Sequence, residues 1–559
     1  TAASTGGTGA GETPGHGRGV ADLLRILYWQ APTILNVHFA QGTKDQAASS
    51  LVLEPLIDVD LDGSLVPVLA AEVPSLENGG VAEDGMSVTY KLKEGVVWSD
   101  GEPFTAADVQ FTYEYVSDPD ATTTTIAIYT AIESVEVVDD LTVKINFTEP
   151  NPAWYSVFAT AFGGQIVPKH ILGESMGTAA RDAEFNLMPI GTGPYVVREF
   201  RAGDVVMYDM NENYRAADKP YFKSVEFKGG GDATAAARAA FESAEVDWAW
   251  NLQVEKSLLE PMANDSDQAV LVVTPGVNLE RILVNFADPN AEVDGARSEP
   301  STQHPFLQFL PVRQAFAMGC DRETVATELY GPAGEATSNL LVAPANFASP
   351  NTSFTFDTDA AAAMLEAEGY VGSPREKDGV KLSVVYQTTI NAVRQKTQEI
   401  IKAGWELMGI EVELKSIDAS VYFSSDAGNP DTASHFYADF EMYTNGPSSP
   451  YPISYMASWK STDPAVDIAQ KSNAWAGTNA TRFTSAEYND LYAQAQVELD
   501  PAKQVELFHG MNDIVVNEIA EIPLVHRADI VAAANRLKGY TTSPWTTDVR
   551  DIADWYFEE

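Results

Sequence analysis

The stretch KLKEGVVWSDGEPFTAADVQFTYE, residues 91–114, combines a strand end, two turns and the start of a helix. A Lys-Glu-Gly turn ends an alternating strand pattern, and a second turn follows at Asp100-Gly101, after the large apolar residue Trp98. Thr105 suits a helix N-cap, with Asp108 three residues later as the capping-box acid. The stretch therefore predicts a tightly folded scaffold element and not a catalytic motif.

Strand and helix patterns are mixed on both sides of this stretch. Residues 135–147, VEVVDDLTVKINF, predict a hairpin, and residues 391–417 predict a helix that Gly409 ends before an alternating strand. This mixture indicates the α/β class and not an all-β sandwich. The chain has 559 residues. Single cores stop growing at about 250–300 residues, so we expect two or three domains.

The composition is strongly acidic. The chain has 35 Lys and Arg against 80 Asp and Glu, a formal net charge of −45. Such a surface repels phosphates, so a nucleic-acid partner is disfavoured. The acids are dispersed along the chain, which fits either ordinary solubility or hydration in a saline exterior. No run of residues approaches the length of about 18 apolar residues that a membrane-spanning helix needs.

Residue types that often carry catalysis or bind metals are few and scattered. Cys320 is the single cysteine, so no disulfide forms within the chain, and its amphipathic helical surroundings predict a buried structural thiol. The seven histidines lack metal-ligand spacing, although His38 or His435 could serve a metal carrier. Neither Gly-x-Ser-x-Gly nor His-Glu-x-x-His occurs. We expect no catalytic residues, no metal site and no cofactor.

Residues 1–19 are small, polar and glycine-rich, so we expect a flexible linker. The chain begins with Thr, which suggests a processed or truncated N-terminus. A linker of this kind commonly separates a lipid anchor from an extracytoplasmic domain, and an expression remnant is the alternative. We expect a periplasmic protein or a cell-surface lipoprotein whose only membrane link is a removed N-terminal anchor.

Several segments fit one protein family when they are taken in order. Besides the stretch at 91–114, they are LVLEPLIDVDLDGSLVPVLA (51–70), MPIGTGPYVVREF (188–200), PVRQAFAMGCDRETV (311–325), LMGIEVEL (407–414) and EIPLVHRADI (521–530). Together they resemble the family 5 extracellular solute-binding proteins, the dipeptide, oligopeptide and nickel class of bacterial ABC importers. The stretch at 91–114 resembles the most recognisable signature of that family.

The resemblance implies a periplasmic-binding-protein-like fold of the large type II class, with two α/β lobes that close on a ligand. An extra subdomain would be inserted in a discontinuous lobe one. We expect lobe one at 20–63, 189–286 and 529–559, the inserted subdomain at 64–188, and lobe two at 287–528. The implied function is capture of an oligopeptide or similar-sized solute by a monomer, which delivers it to a membrane permease without chemistry.

The segment MYTNGPSSPYPISYMASW, residues 442–459, contains no charged residue and lies where the family carries its main specificity loop. Peptide binders of the family keep an aspartate there for the α-ammonium group, and Asn445 stands in that neighbourhood. Rings and amides suit a neutral oligosaccharide, so the ligand is either a peptide or a sugar. We expect Tyr443, Asn445, Tyr451 and Trp459 to contact it, with packing on the core as the alternative.

Other candidates lie near strand ends and helix starts, positions that line clefts in α/β lobes. They are Trp250, Asn251, Asn285, Gln387 and Arg482. Trp250 and Asn251 end a strand that the family runs to the lobe interface, and they offer a ring and an amide. Arg482 could bind a ligand carboxylate or pair with a surface acid. A secreted hydrolase and a metal-chelate carrier are the alternative functions.

Overall fold

The computed structural model of the chain describes residues 16–40, 42–423 and 428–558, which fold as the predicted α/β protein. The α-helices are α1 (Thr43–Ser50), α2 (Ala106–Ser117), α3 (Ile126–Tyr129), α4 (Lys169–Leu172), α5 (Ala233–Phe241), α6 (Lys256–Asn264), α7 (Leu310–Met318), α8 (Arg322–Thr324), α9 (Thr358–Ala367), α10 (Ala392–Leu407), α11 (Ala419–Tyr422), α12 (Ile453–Met456), α13 (Pro464–Asp467), α14 (Ala486–Ala495) and α15 (Pro501–Asn517). The strands are β1 (Ala21–Tyr28), β2 (Ile57–Val59), β3 (Leu65–Pro67), β4 (Ser87–Lys91), β5 (Ile132–Asp139), β6 (Thr142–Phe147), β7 (Tyr195–Arg201), β8 (Val205–Met210), β9 (Phe222–Gly229), β10 (Trp248–Ala249), β11 (Ala269–Val284), β12 (Gly334–Ala336), β13 (Val371–Gly372), β14 (Arg375–Lys377), β15 (Val380–Lys381), β16 (Ser383–Thr389), β17 (Glu411–Ile417), β18 (Phe440–Asn445), β19 (Glu521–Ala534), β20 (Leu537–Lys538) and β21 (Tyr556–Phe557).

One large sheet runs through the molecule in the order β17-β16-β18-β11-β19-β10-β1-β9-β8-β7. The strands β10, β1, β9, β8 and β7 form its first half, and β17, β16 and β18 form its second half. A separate sheet, β4-β6-β5, lies within the predicted inserted segment. The two halves of the large sheet carry the two lobes of the fold.

Two long strands join the halves. β11 and β19 pair with each other along most of their length, with register shifts between Thr274 and Asn278 and between Glu280 and Arg281. β19 also pairs with β10 of the first half, and β11 pairs with β18 of the second half. The connection between the lobes is therefore a pair of hydrogen-bonded strands.

Separate apolar cores lie around this sheet. One gathers buried residues between Phe39 and Phe185, including Trp98 and Tyr90. A second lies under the first sheet half, and two more lie on the second half, one of them around Trp459 and Phe508. Several cores are expected, because a chain of this length exceeds what one core supports.

The signature stretch is confirmed as scaffold. Trp98 is buried in the Phe39–Phe185 core and meets Phe104 edge-on at 5.9 Å between ring centroids. Thr105 precedes α2, and its backbone N–H donates to the Asp108 carboxylate at 2.9 Å. Cys320 is also buried, as predicted, and burial raises the pKa of its thiol to about 11.

Most of the predicted N-terminal linker, residues 1–15, lies outside the described residues. Residues 16–19 pack on the first sheet half: Arg18 donates to the carbonyls of Lys219 and Asn211, and His16 stacks on Tyr556. No helix in the described ranges is long and apolar enough to cross a membrane.

Candidate functional site

A cavity of about 270 Å³ lies between the two sheet halves, and we call it the cleft. The first half contributes Trp250, Asn251 and Gln253. Residues of the segment 542–548 also line the cleft. The crossing strands contribute Thr274, Asn278, Arg527 and Asp529, and the second half contributes Thr444. A smaller cavity of about 30 Å³ adjoins it, because both include Asn251, Gln253, Arg527 and Ile530 in their walls. Side chains from both lobes and from the connection therefore meet here.

A basic network forms one side of these cavities. Glu280 on β11 pairs with Arg394 of α10 at 3.2 Å and with Arg527 of β19 at 3.4 Å. The Thr444 hydroxyl donates to Glu280 and accepts N–H groups from Arg394 at 2.6 Å and Arg527 at 3.0 Å. The side-chain oxygen of Gln253 accepts from Arg527. Two arginines thus meet one carboxylate, which leaves net positive charge on this side.

The environment holds Glu280 in its charged form. Burial alone would raise the pKa of this carboxyl, but the charges of Arg394 and Arg527, together with the Thr444 hydroxyl, lower it below its usual value. Because Glu280 stays ionised, it keeps the two guanidinium groups in place at the wall. The surplus positive charge is suited to a ligand carboxylate.

Two carboxylates also line the cleft. Asp529 lies two residues beyond Arg527 on β19, so both side chains leave the same face of the strand. Asp548 follows from the segment 542–548. Burial raises the pKa of Asp529, and burial with the nearby Asp529 charge raises that of Asp548 to about 7. The cleft therefore presents opposite charges about 6–7 Å apart along one strand.

The sequence matches a known protein family over most of its length. Residues 64–467 match the model of the bacterial extracellular solute-binding proteins, family 5 middle region.

The chain belongs to family 5 of the bacterial extracellular solute-binding proteins. The glutathione-binding protein GsiB of Escherichia coli strain K12 is 26% identical over 519 residues, which cover 92% of this chain and 91% of GsiB. The structure of NikZ from Campylobacter jejuni, solved with Ni(L-His), has a TM-score of 0.75 and 21% sequence identity to this chain. The superposition covers 96% of this chain and 99% of NikZ. The structure of AppA from Bacillus subtilis, solved with a nonapeptide, has a TM-score of 0.73 and 21% sequence identity to this chain. The superposition covers 97% of this chain and 100% of AppA.

Membership confirms the two-lobed fold and the predicted role. The protein is the solute-binding component of an ABC importer, and family 5 proteins deliver their solute to the permease of such an importer. Two-lobed binding proteins close around their ligands, so the cleft between the sheet halves is the candidate ligand site.

Trp250 and Asn251 are the predicted residues that the fold places in the cleft wall. Trp250 stacks on Tyr28, with ring centroids 4.6 Å apart and an interplanar angle of 4°. The carbonyl of Asn251 accepts the indole N–H of Trp29 at 3.0 Å. Trp248, on the same face of the strand pattern, is fully buried. Ligand contact by Trp250 and Asn251 stays a prediction.

Tyr443 and Asn445 lie beside the cleft residue rather than in it. Residues alternate between the two faces of β18, so Thr444 faces Glu280 while Tyr443 lies over the Arg281 guanidinium at 4.6 Å. The Asn445 side chain is exposed and accepts the N–H of Gly446 at 2.9 Å. Neither residue lines either of the two cavities. Thr444, which lies between them on β18, lines the cleft, and ligand contact by Tyr443 and Asn445 stays a prediction.

Trp459 and Tyr451 are core residues, which corrects their prediction as ligand contacts. Both are buried in the core around Trp459 and Phe508. Trp459 has no exposed surface and meets Tyr455 edge-on at 5.3 Å. Tyr451 donates its hydroxyl to the Ala495 carbonyl and meets Phe508 at 5.0 Å. The uncharged character of residues 442–459 is explained by this packing.

Asn285, Gln387 and Arg482 are buried and line neither of the two cavities, in contrast to their prediction as cleft residues. Asn285 donates to the carbonyls of Phe436 at 2.8 Å and Ala438 at 3.0 Å. Gln387 donates to Glu441 at 3.0 Å. Arg482 donates to the carbonyls of Ser298 and His435, both at 3.0 Å, and to that of Ala480. Their polar groups bind the protein's own backbone and side chains.

The two histidines proposed for metal carriage have structural partners. His38 is buried between the Thr125 hydroxyl at 2.8 Å and the Gln165 carbonyl at 3.0 Å, and burial lowers its pKa to about 4. His435 stacks on Trp475 at 3.8 Å and bonds to the Thr432 hydroxyl. Among residues 16–40, 42–423 and 428–558, no group of three or more His, Cys, Asp or Glu side chains is arranged to hold a metal ion.

Proposed function

We propose that this protein captures a short peptide, or a peptide-like zwitterion the size of glutathione, and delivers it to its permease unchanged. The observation that supports this ligand class is that Arg527 and Asp529 lie on one face of β19, where they line a cavity of about 270 Å³. A ligand with both charges gains complementary contacts along that wall. Typical small-molecule pockets measure about 300–1,000 Å³, so the volume favours a short ligand.

The relatives support this class. GsiB is described as glutathione-binding, and the AppA structure contains a nonapeptide. None of the relatives named above is described by an oligosaccharide ligand. The argument for sugar rested on residues 442–459, whose rings lie largely in the core around Trp459. These observations favour the peptide-like solute over the alternative of a neutral sugar.

In this proposal the two lobes close around the ligand, and no bond of the ligand is made or broken. The protein acts as a monomer whose lobes close because the ligand contacts both of them only in the closed form. We keep the division into lobe one (20–63, 189–286 and 529–559), inserted subdomain (64–188) and lobe two (287–528) as part of the proposal. An extracytoplasmic location with an N-terminal lipid anchor completes it.

Isothermal titration calorimetry with trialanine, reduced glutathione and maltotriose tests the proposal. We expect at least one of the two peptides to bind with a dissociation constant in the micromolar range or tighter, about −8 kcal/mol, and maltotriose not to bind. Arg394→Met should weaken peptide binding about 10- to 150-fold, because a charge-assisted hydrogen bond contributes about 1.5–3 kcal/mol. Lys402→Met, which removes a surface cation from the same helix, is the matched control. Binding of maltotriose and of neither peptide would overturn the proposed ligand class.

A surface ion pair joins α10 to the residue before α6, and its removal should have a small effect on ligand binding. Lys396 of α10 pairs with Glu255, the residue before α6, at 2.6 Å, and the neighbouring Lys256 donates to the Thr327 carbonyl at 3.0 Å. An exposed pair contributes about 0.2–1 kcal/mol. We expect Lys396→Gln to weaken peptide binding less than about fivefold, with the difference vanishing at high salt. Titrations at low and high ionic strength check this, and a salt-independent loss would contradict it.

A further inference from the structure

We propose that Asp529 and Asp548 form the subsite that receives the ammonium group of the ligand. This inference rests on the proposed function and names the residues that recognise one end of the solute. Both carboxylates line the cleft, and they come from chain segments far from residues 442–459. They supply the negative charge that Asn445 does not.

The Asp529 carboxylate is poorly satisfied by the protein itself. Within the described residues, Asp529 takes part in no ion pair and accepts no hydrogen bond, since Arg527 is engaged with Glu280, Thr444 and Gln253. Oxygen Oδ2 of Asp548 is buried, with the Tyr28 hydroxyl and the Trp248 indole N–H as the donors beside it. Buried polar atoms are nearly always paired in folded proteins, so the Asp529 carboxylate, to which no described side chain donates, leaves a place for a donor from the ligand.

Buried polar groups beside Asp548 support the same subsite. Tyr28 and Trp248 are fully buried, and the Tyr28 hydroxyl and the Trp248 indole N–H face the Asp548 carboxylate and lower its pKa against the effect of burial. An ammonium group carries three donors. Asp529 and Asp548 provide carboxylate acceptors for these donors at one end of the cleft.

The electrostatics favour a cation at this position. Burial raises the pKa of both carboxyls, and the Asp529 charge adds to the rise at Asp548, so the pair repel each other when both are charged. The charged groups nearby are Arg527 and His526 on the same strand, and the other titratable neighbour is Tyr28 on β1. A bound ammonium would relieve this repulsion and favour the ionised forms.

The subsite also orients the ligand. The acids lie toward the first sheet half, whereas Arg394 belongs to the second half. A zwitterion bound with its amine at Asp529 and Asp548 and its carboxylate at Arg394 therefore bridges the two lobes. Only a ligand with both charges gains the full contact, which couples recognition to closure.

Isothermal titration calorimetry tests the subsite with trialanine and reduced glutathione, each compared with its N-acetylated form. The titrations are made with wild type, Asp529→Asn, Asp548→Asn and the double variant. For the free-amine peptide that binds wild type, we expect acetylation to weaken binding about 100-fold or more, because a buried charge pair that loses one partner costs about 2–5 kcal/mol. Each variant should weaken binding of the free amine and leave the acetylated form unchanged. Asp22→Asn, which removes an exposed acid paired with Lys223, is the control.

Two further readouts separate recognition from structure. Asp548→Asn should raise the melting temperature at pH 8, because it removes a buried carboxyl whose ionisation costs stability above its unfolded pKa. In wild type, binding should tighten about tenfold from pH 5.5 to 7.0, as Asp548 ionises while the peptide amine stays protonated. Asp548→Asn should lose this dependence.

The outcomes distinguish the two proposals. Equal binding of free and acetylated peptides to wild type, or variants that bind free peptide as tightly as wild type, would overturn the subsite and leave the peptide function standing. Absence of binding by all four peptide probes to wild type would overturn the proposed function and the subsite with it. A lowered melting temperature in Asp548→Asn would assign that residue a structural role and overturn its part in recognition.

Discussion

Replacing Trp459 by alanine is expected to lower the free energy of unfolding of lobe two by about 3–5 kcal/mol, with no selective loss of ligand affinity. The indole is fully buried among the rings and aliphatic groups of the core around Trp459 and Phe508. Its removal leaves a cavity whose lining loses dispersion contacts, and Tyr455 loses its edge-on partner.

Differential scanning calorimetry and urea unfolding measure this effect, and titration of the folded variant measures binding. Trp459→Phe is the matched control, since it keeps a ring in the core and should cost clearly less. Lobes of one chain can unfold in separate steps, so the transition that shifts identifies lobe two. A Trp459→Ala protein with wild-type stability and weakened binding would return this residue to the ligand site.

Removing Arg281 is expected to destabilise the protein by a similar amount, about 3–5 kcal/mol for Arg281→Ala. Its Nε lies 2.7 Å from Glu521 Oε1, both side chains are almost completely buried, and Tyr443 covers the guanidinium. Without Arg281, the Glu521 carboxylate stays buried with no counter-charge. The free energy of unfolding, followed by urea titration, checks the prediction.

The pH dependence of Arg281→Ala gives a second signature. Burial raises the pKa of Glu521 to about 7, and Arg281 opposes that rise, so the pKa should climb further in the variant. A carboxyl whose folded pKa lies above its unfolded value loses stability as pH rises between the two values. The destabilisation should therefore be larger at pH 8 than at pH 5.

A double variant separates the broken pair from lost packing. Arg281→Met combined with Glu521→Leu replaces both charges by apolar groups and should lie close to wild type, because desolvation cancels most of the gain from a buried pair. A double variant as unstable as Arg281→Ala would contradict the electrostatic explanation and assign the loss to packing.

The fold was predictable because its local rules agree with one another. Hydrophobic periodicity and the turn and capping residues agree with the observed elements in three places. These are the turns and the Thr105 cap before α2, the hairpin of β5 and β6, and the α10–β17 unit. The pairing that joins the lobes was less visible. It needs β11 and β19 to meet across more than 200 residues, and alternation within each strand does not specify that partner.

The site was predicted less well, for two physical reasons. In β18, a shift of one residue exchanges the faces, so the choice of Tyr443 and Asn445 missed Thr444. Rings also fill cores as readily as they line clefts, and composition alone could not separate Trp250 from Trp459. A usable signal lay in the strand segment EIPLVHRADI, where Arg527 and Asp529 put opposite charges on one face.

The crossing strands also determine how the molecule can move. A chain that bends at loops can swing freely, but here the lobes are joined by a ladder of backbone hydrogen bonds, interrupted between Thr274 and Asn278. Opening must therefore twist the ladder elastically, with the interruption as its most compliant point. We therefore expect any bending between the sheet halves to concentrate at this interruption, where fewer ladder hydrogen bonds resist it.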